Sequence, residues 1–416
     1  MTLRKFFGDA LATATHGGVR YHLWMGGLTF FVLVGVYAYF VQVTEGLAAT
    51  GMHDHVSWGI YISNFVFLVG VAAAAVMIVM PAYVLRDVDF AQAVLIGEGV
   101  AVSAVVMCLG FVIVDLGSPQ NAWHLIPFIG YFNFPQSLLT WDVLVLNGYL
   151  LLNLCIPAYI LYTHYQDKQP RKAFYVPLVY LSVFWAVSIH LVTAFLLAGL
   201  PARPFWHTAV LGPRFLASAF AAGPALMILV LGLIRTLTRY DIKVASLSKL
   251  AMIVTVAAQI NLIMLGSEMF IEFYEPTSHS LSAEYLFFGL HGHHALRPWI
   301  WTSLAVNILC TAILTLHPLR NRTIILYPTC VLLFVAIWVE KGMGLVIPGF
   351  IPSPLGEIAE YTPTWVEIGV TLGIWAFGLF ILTVLVRIAV PIELGALRVT
   401  SPPHAAADAW RAASEG

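Results

Sequence analysis

Charge is scarce in this chain of 416 residues: Asp, Glu, Lys and Arg together make up 10% of it, against 60% apolar residues. An ordinary globular domain carries about 25% charged residues, so a water-facing surface of the usual kind is excluded. With a net charge of −1 and no basic groove or stripe, nucleic acid is excluded as a partner. Cysteine is scarce too. Cys108, Cys155, Cys310 and Cys330 are widely spaced, with no CxxC or CxxCH, and read as small buried apolar residues. The chain therefore supplies no iron–sulfur ligands and no c-type haem attachment. A b-type haem needs axial histidines within the hydrocarbon, and His190 alone is placed there, so no haem is expected.

Long apolar runs are what the chain has in abundance. A hydrocarbon core of about 30 Å is crossed by roughly 20 apolar helical residues. Ten segments qualify, at about 22–43, 57–85, 92–115, 139–164, 174–199, 208–235, 247–272, 299–317, 323–340 and 365–390. They are too long and too uniformly apolar for barrel strands, and in lipid a helix satisfies its own backbone. The expected fold is all-α: a polytopic membrane protein of ten transmembrane helices, residues 1–400 forming one transmembrane domain and 401–416 a flexible cytoplasmic tail.

Sixteen of the twenty Lys and Arg, among them Arg4, Arg86, Lys172, Lys243 and Arg398, fall on one side of these spans, leaving only Arg203, Arg214, Arg297 and Lys341 on the other. The positive-inside bias then puts both termini in the cytoplasm, and the N-terminal region reads as a retained anchor rather than a cleaved signal. The expected location is a bacterial or archaeal cytoplasmic (inner) membrane. Inner connections are short. The outer ones, about 116–138, 273–298 and 341–364, are long and aromatic, with Trp123, Phe128, Tyr131, Phe132 and Phe134 in the first, which points to a partner on the outer face.

A faint repeat relates the second and sixth spans. Phe67 to Met77 and Ala219 to Met227 each carry small residues in mid-helix and lead to a basic exit residue, Arg86 or Arg235. Small residues let membrane helices approach closely. The expected arrangement is two parallel four-helix bundles, 57–199 and 208–340, flanked by 22–43 and 365–390.

Polar residues within such spans cost several kcal/mol unless paired or wetted, so they mark the chemistry. Most crowd the outer ends. Asn261, Glu268 and Glu272 are spaced by seven and four and share one helical face. Tyr61 and Asn64 lie in the outer third of the second span, Asp115 ends the third, Asp142 opens the fourth, His190 lies in the fifth, and Arg203, His207 and Arg214 surround the start of the sixth. Carboxylates, imidazoles and a phenol at one depth suit a ligand with two carbonyl or hydroxyl ends that exchanges protons. Each taken singly could equally be an interfacial anchor or half of a structural pair. His291, His293 and His294 lie in a loop without companion cysteine, and no metal site is expected. Glu98, about six residues into the third span, is either a step in a proton path or a residue reaching for the inner headgroups.

The stretch Trp58-Gly59-Ile60-Tyr61-Ile62-Ser63-Asn64-Phe65 onward to Gly70, then Asp115-Leu116-Gly117-Ser118-Pro119, Trp123-His124 and Trp141-Asp142, resembles the NrfD/PsrC membrane subunits of respiratory complexes. Arg203-Pro204-Phe205-Trp206-His207, Ser267-Glu268-Met269-Phe270 and Pro363-Thr364-Trp365-Val366-Glu367 extend the resemblance over about residues 20–395. Ten spans resemble the branch with HmcC, HybB and DsrP, with DsrP of the DsrMKJOP complex most alike through the RPFWH segment. Where many relatives have a His or acidic residue in the second span, this chain has Ala72 to Ala75.

The resemblance implies a subunit without redox cofactor of its own that exchanges electrons between menaquinone or ubiquinone and a ferredoxin-like iron–sulfur subunit on the periplasmic face, beside other membrane and cytochrome subunits, in dissimilatory sulfur metabolism. Glu268, Glu272, His207 and His190 are the expected proton-exchanging residues. Tyr61, Asn64, Asp115, His124, Asp142, Arg203 and Arg214 are the expected quinone contacts. A proton-coupled secondary transporter and a structural anchor without its own quinone site remain the alternatives.

Overall fold

The computed structural model describes every residue except 1, 86, 128, 275, 276, 278, 279, 403, 404, 415 and 416. Arg86 and Phe128, named above, lie outside the described residues. Among the described residues no strand forms, and ten helices are long and apolar enough to span a membrane. The all-helical, ten-span expectation is met.

A short amphipathic helix, α1 (Thr2–Thr15), precedes the first span, α2 (Val19–Glu45). The next six spans are α3 (Ile60–Val84), α4 (Ala91–Asp115), α5 (Leu138–Tyr165), α6 (Lys172–Ala198), α7 (Leu211–Leu237) and α8 (Val244–Tyr274). A short outer helix, α9 (Ser280–Phe287), leads to α10 (Arg297–Thr315), α11 (Thr323–Phe350) and α12 (Trp365–Glu393). The chain closes on α13 (Ala405–Ser414).

Helix packing sorts the spans into groups. α3 packs on α4, α4 on α5, α5 on α6, and α6 back on α3; likewise α7 packs on α8 and α11, and α10 on both α8 and α11. α3 against α7 joins the two sets, and α12 clamps α2 to α4. At the α3–α7 crossing the two small-residue stretches face each other: a Cβ on Gly223 would lie 2.6 Å from Ala74 Cβ. Backbones meet there because neither side carries bulk, which is how packing without a hydrophobic drive is achieved in lipid.

Two spans depart from regular α geometry in their interior. α3 tightens to a 3₁₀ turn at Ala73–Ala75 and widens to a π turn at Met80–Val84. α11 has a π turn at Trp338–Met343 and continues to Phe350. Hydropathy alone ends this span at residue 340 and puts Lys341 in an outer loop. Instead, apolar Leu345 to Phe350 carry the helix onward, and both Glu340 and Lys341 are buried. The outer loop shortens accordingly to 351–364.

At the C-terminal end, where a flexible tail is expected, Ala406, Ala409 and Ala413 of α13 are buried, and the helix packs on α1 and α12. Thr13 Oγ1 donates to the Ala406 carbonyl at 2.9 Å. Arg387 donates to the carbonyls of Thr13 and His16 and lies over the rings of Tyr21 and Trp410. Small alanines on one face and an arginine beneath are enough to seat a ten-residue helix.

Candidate functional site

Glu268 and Glu272, one turn apart on α8, reach into a narrow cavity. Its walls combine apolar Phe205, Leu265, Met269, Ala283, Leu286, Phe287 and Ile300 with Gly344 and Glu340 of α11 and Arg214 of α7. A second, smaller cavity adjoins the first and is lined by Arg214, Phe215, Ser218, Glu340, Lys341 and Leu345. Arg214 and Glu340 are common to both and form the partition.

The partition is a closed ionic network. Arg214 pairs with Glu268 through Nη1 and donates from Nη2 to Glu340 Oε1 at 3.2 Å. Glu340 also accepts from Asn261 Nδ2 at 3.1 Å and Asn307 Nδ2 at 2.5 Å, so three helices converge on one carboxylate. Glu340 is only 2% exposed. A buried carboxylate survives when charge and N–H donors surround it, and one guanidinium with two amides supplies both. Glu272 differs: its Oε2 is buried without a hydrogen-bond partner, beside the like-charged Glu268. A buried carboxyl oxygen without a partner is rare in a folded protein and marks this cavity as the candidate site.

The RPFWH segment roofs the cavity. Phe205 enters the wall, and Trp206 is fully buried, donates Nε1 to the Leu345 carbonyl at 2.8 Å and stacks on Trp58. Gly349 is required beneath it, since a Cβ there would come within 2.0 Å of the indole. Arg203 donates to the Phe350 carbonyl at 3.3 Å with its guanidinium over that ring. The Thr364–Glu367 motif is a capping box at the start of α12. Glu367 also accepts from Gly51 N at 2.7 Å and Tyr361 Oη at 2.5 Å, which fastens the outer loop to the entry of α3.

Among the residues expected to form the site, the cavity brings together Glu268, Glu272 and Arg214. The others lie elsewhere. Asn64 is already engaged: its Oδ1 accepts from Trp338 Nε1 at 3.0 Å and Trp375 Nε1 at 2.9 Å, and its Nδ2 donates to the Ile60 carbonyl at 2.7 Å. Tyr61 donates to Gln42 Oε1 at 2.7 Å near Asp115, whose Oδ1 is buried and unpartnered. Asp142 accepts from Thr193 at 2.9 Å, and His190 Nδ1 contacts the Ala186 carbonyl at 2.8 Å, leaving Nε2 buried without a partner. His207 is exposed with its Nδ1 against the Ala198 carbonyl, and His124 is sandwiched between Trp123 and Tyr131. Glu98 is buried in α4 with one oxygen unpartnered.

Among the loop histidines, His293 pairs with Glu360 at 3.4 Å. Burial acts to raise the Glu360 carboxyl, but the Ala295 N–H, His293 and Tyr285 outweigh it and hold it below the usual glutamate range. Among the described residues no group of three or more His, Cys, Asp or Glu is arranged to hold a metal.

Glu340, Lys341 and Asn307 do not stand out in the sequence. The available signal is the apolar run from Leu345 to Phe350, which shows that the span does not end at its charged pair.

Ten membrane-spanning helices with a buried ionic partition between two cavities define a multi-pass membrane protein with an internal polar site. The chain belongs to the family described as Polysulphide reductase, NrfD, whose profile matches residues 48–351. It is 24% identical over 399 residues, 86% of this chain and 88% of the relative, to a putative dimethyl sulfoxide reductase membrane subunit of Halobacterium salinarum. It is 22% identical to a selenate reductase subunit of Mesobacillus selenatarsenatis, covering 88% of this chain and 93% of that one. Identity is also 22% to an Hdr-like menaquinol oxidoreductase integral membrane subunit of Archaeoglobus fulgidus, covering 80% and 85%.

Proposed function

We propose that this chain is the quinone-handling membrane subunit of a respiratory oxidoreductase complex in the cytoplasmic membrane, with both termini inside and the cavity lined by Glu268 and Glu272 as the quinone-head site. The observation that carries the reading is the unpartnered Glu272 oxygen beside the Arg214–Glu268 pair in a cavity with apolar and charged walls. Oxidation of a quinol releases two electrons and two protons. Glu272 accepts one proton from a ring hydroxyl and the second is released to water, while Arg214 keeps Glu268 engaged in its ion pair, a division of labour between a free and a paired carboxylate. The electrons pass to a ferredoxin-like iron–sulfur subunit on the outer face, with other membrane and cytochrome subunits completing the complex.

The relatives named as reductase and menaquinol oxidoreductase membrane subunits support this class of function, and the last of them favours menaquinone over ubiquinone. A DsrP-like role in sulfur metabolism is the finer reading, supported by the RPFWH segment that roofs the cavity. The two closed rings of four helices support a repeated-bundle architecture. Glu98 we assign to a proton path toward the inner side.

The test is quinol oxidation by the purified complex. Glu272→Gln is expected to assemble and to lower turnover roughly 100-fold, the usual scale of a general acid–base contribution. Unchanged turnover in an intact complex rejects the assignment.

A further inference from the structure

We propose that Lys341 exchanges a proton with Glu340 and so carries the proton chemistry of the cavity inward, toward the first group of four helices. The proposal rests on the quinol reading above.

The π turn at Trp338–Met343 sends two consecutive charged side chains in different directions. Glu340 forms the partition between the cavities, whereas Lys341 lines only the inner one. Lys341 is 4% exposed, donates to the Phe215 carbonyl at 3.2 Å and lies over the Phe215 ring at 4.4 Å from its centroid. It forms no ion pair among the described residues. Its amine lies in the space left open by Gly70 of α3, where a Cβ would come within 3.1 Å of Nζ. An ammonium has three donors, so a single carbonyl and a ring make a poor permanent seat for it. Arginine, locked in its charged form, occupies the fully paired position instead, and lysine, which can release its proton, the poorly paired one.

Both neighbours can follow the proton. Asn261 and Asn307 aim their amide N–H groups at Glu340 and leave their own carbonyl oxygens buried without partners. Either amide, turned over, would accept the O–H of a protonated Glu340. The groups in electrostatic range of Lys341 are Arg214 of α7, Glu340, Cys108 of α4 and His190 of α6. The Ala186 carbonyl can only accept, so His190 Nδ1 carries the hydrogen, and the neutral ring presents a bare Nε2 that is buried and unpartnered. In the proposed step Glu340 takes its proton from Glu272 across the first cavity, which both line, and a water in the second cavity, lined by both Glu340 and Lys341, relays it on: the O–H bond of Glu340 breaks and an N–H bond forms on the neutral amine of Lys341. No electrons move, and the carboxylate is restored to Arg214.

The experiment uses the whole complex reconstituted in vesicles, with a water-soluble quinol as donor. Lys341→Arg keeps the cation but cannot release a proton. It is expected to retain quinol affinity while turnover falls about tenfold or more, with an increased solvent deuterium isotope effect and a changed pH profile. A merely structural cation would leave turnover, isotope effect and pH profile at wild-type values in Lys341→Arg, and that result overturns the proposal. Should Lys341→Arg fail to assemble, Lys341→Gln is read by the same criteria. A wild-type complex that oxidises no quinol rejects the underlying reading, whereas an active wild type with an equally active variant rejects the role of Lys341 alone.

Discussion

Asn64 holds two indole N–H groups on one carboxamide oxygen, so its replacement is felt by the fold before it is felt by any ligand. Asn64→Leu strands both donors, and thermal unfolding of the solubilised protein should show a loss of about 1–3 kcal/mol per stranded group. Quinol affinity in the surviving protein should be unchanged; a loss of affinity at unchanged stability would put Asn64 back at the site. Arg214→Met removes the charge that Glu268 and Glu340 share. Breaking a buried pair leaves uncompensated charge at a cost of about 3–5 kcal/mol, so a marked fall in melting temperature is expected, and an unchanged one would contradict the network. Glu268, Glu272 and Arg214 are legible in the sequence because a charged residue among apolar ones announces itself. Glu340 and Lys341 are not legible in this way. Two charges next to the glycine of Gly342 look like the end of a span, and only the π turn folds both inward.

Packing without bulk governs the elements. The α3–α7 crossing tolerates no side chain at Gly223, where even a methyl meets Ala74 at 2.6 Å. Gly223→Val should therefore force the two helices apart and destabilise by about 1–3 kcal/mol, the usual cost of overpacking, read again as a lowered melting temperature. A neutral result would mean that the helices can part there without loss. The repeat in the sequence foretells small residues in both helices, but not that the two stretches lie against each other, since a shared pattern carries no information about which copies meet. Lengths and order of the spans are legible to within a few residues because hydrocarbon thickness fixes them. The continuation of α11 escapes for the opposite reason: polar residues at membrane depth interrupt hydropathy without interrupting the helix.

At the scale of the whole molecule, the proposed orientation, with the basic residues inside, opens the cavities toward the outer leaflet. Topology reporters placed after Lys172 and Lys243 should report cytoplasm, and reporters within 351–364 the outer compartment; an inner location for 351–364 would invert the site with it. The seating of α13 on α1 is not legible, because three alanines and an arginine resemble any polar tail until a partner surface is supplied. Which cavity receives the quinone head decides the roles of all the residues around it. Photolabelling of the assembled complex with an azidoquinone tests this most directly. Label recovered on α8 peptides containing residues 265–272 and on the α11 π turn is the expected result, and label confined to residues 61–64 and 115–142 would contradict it.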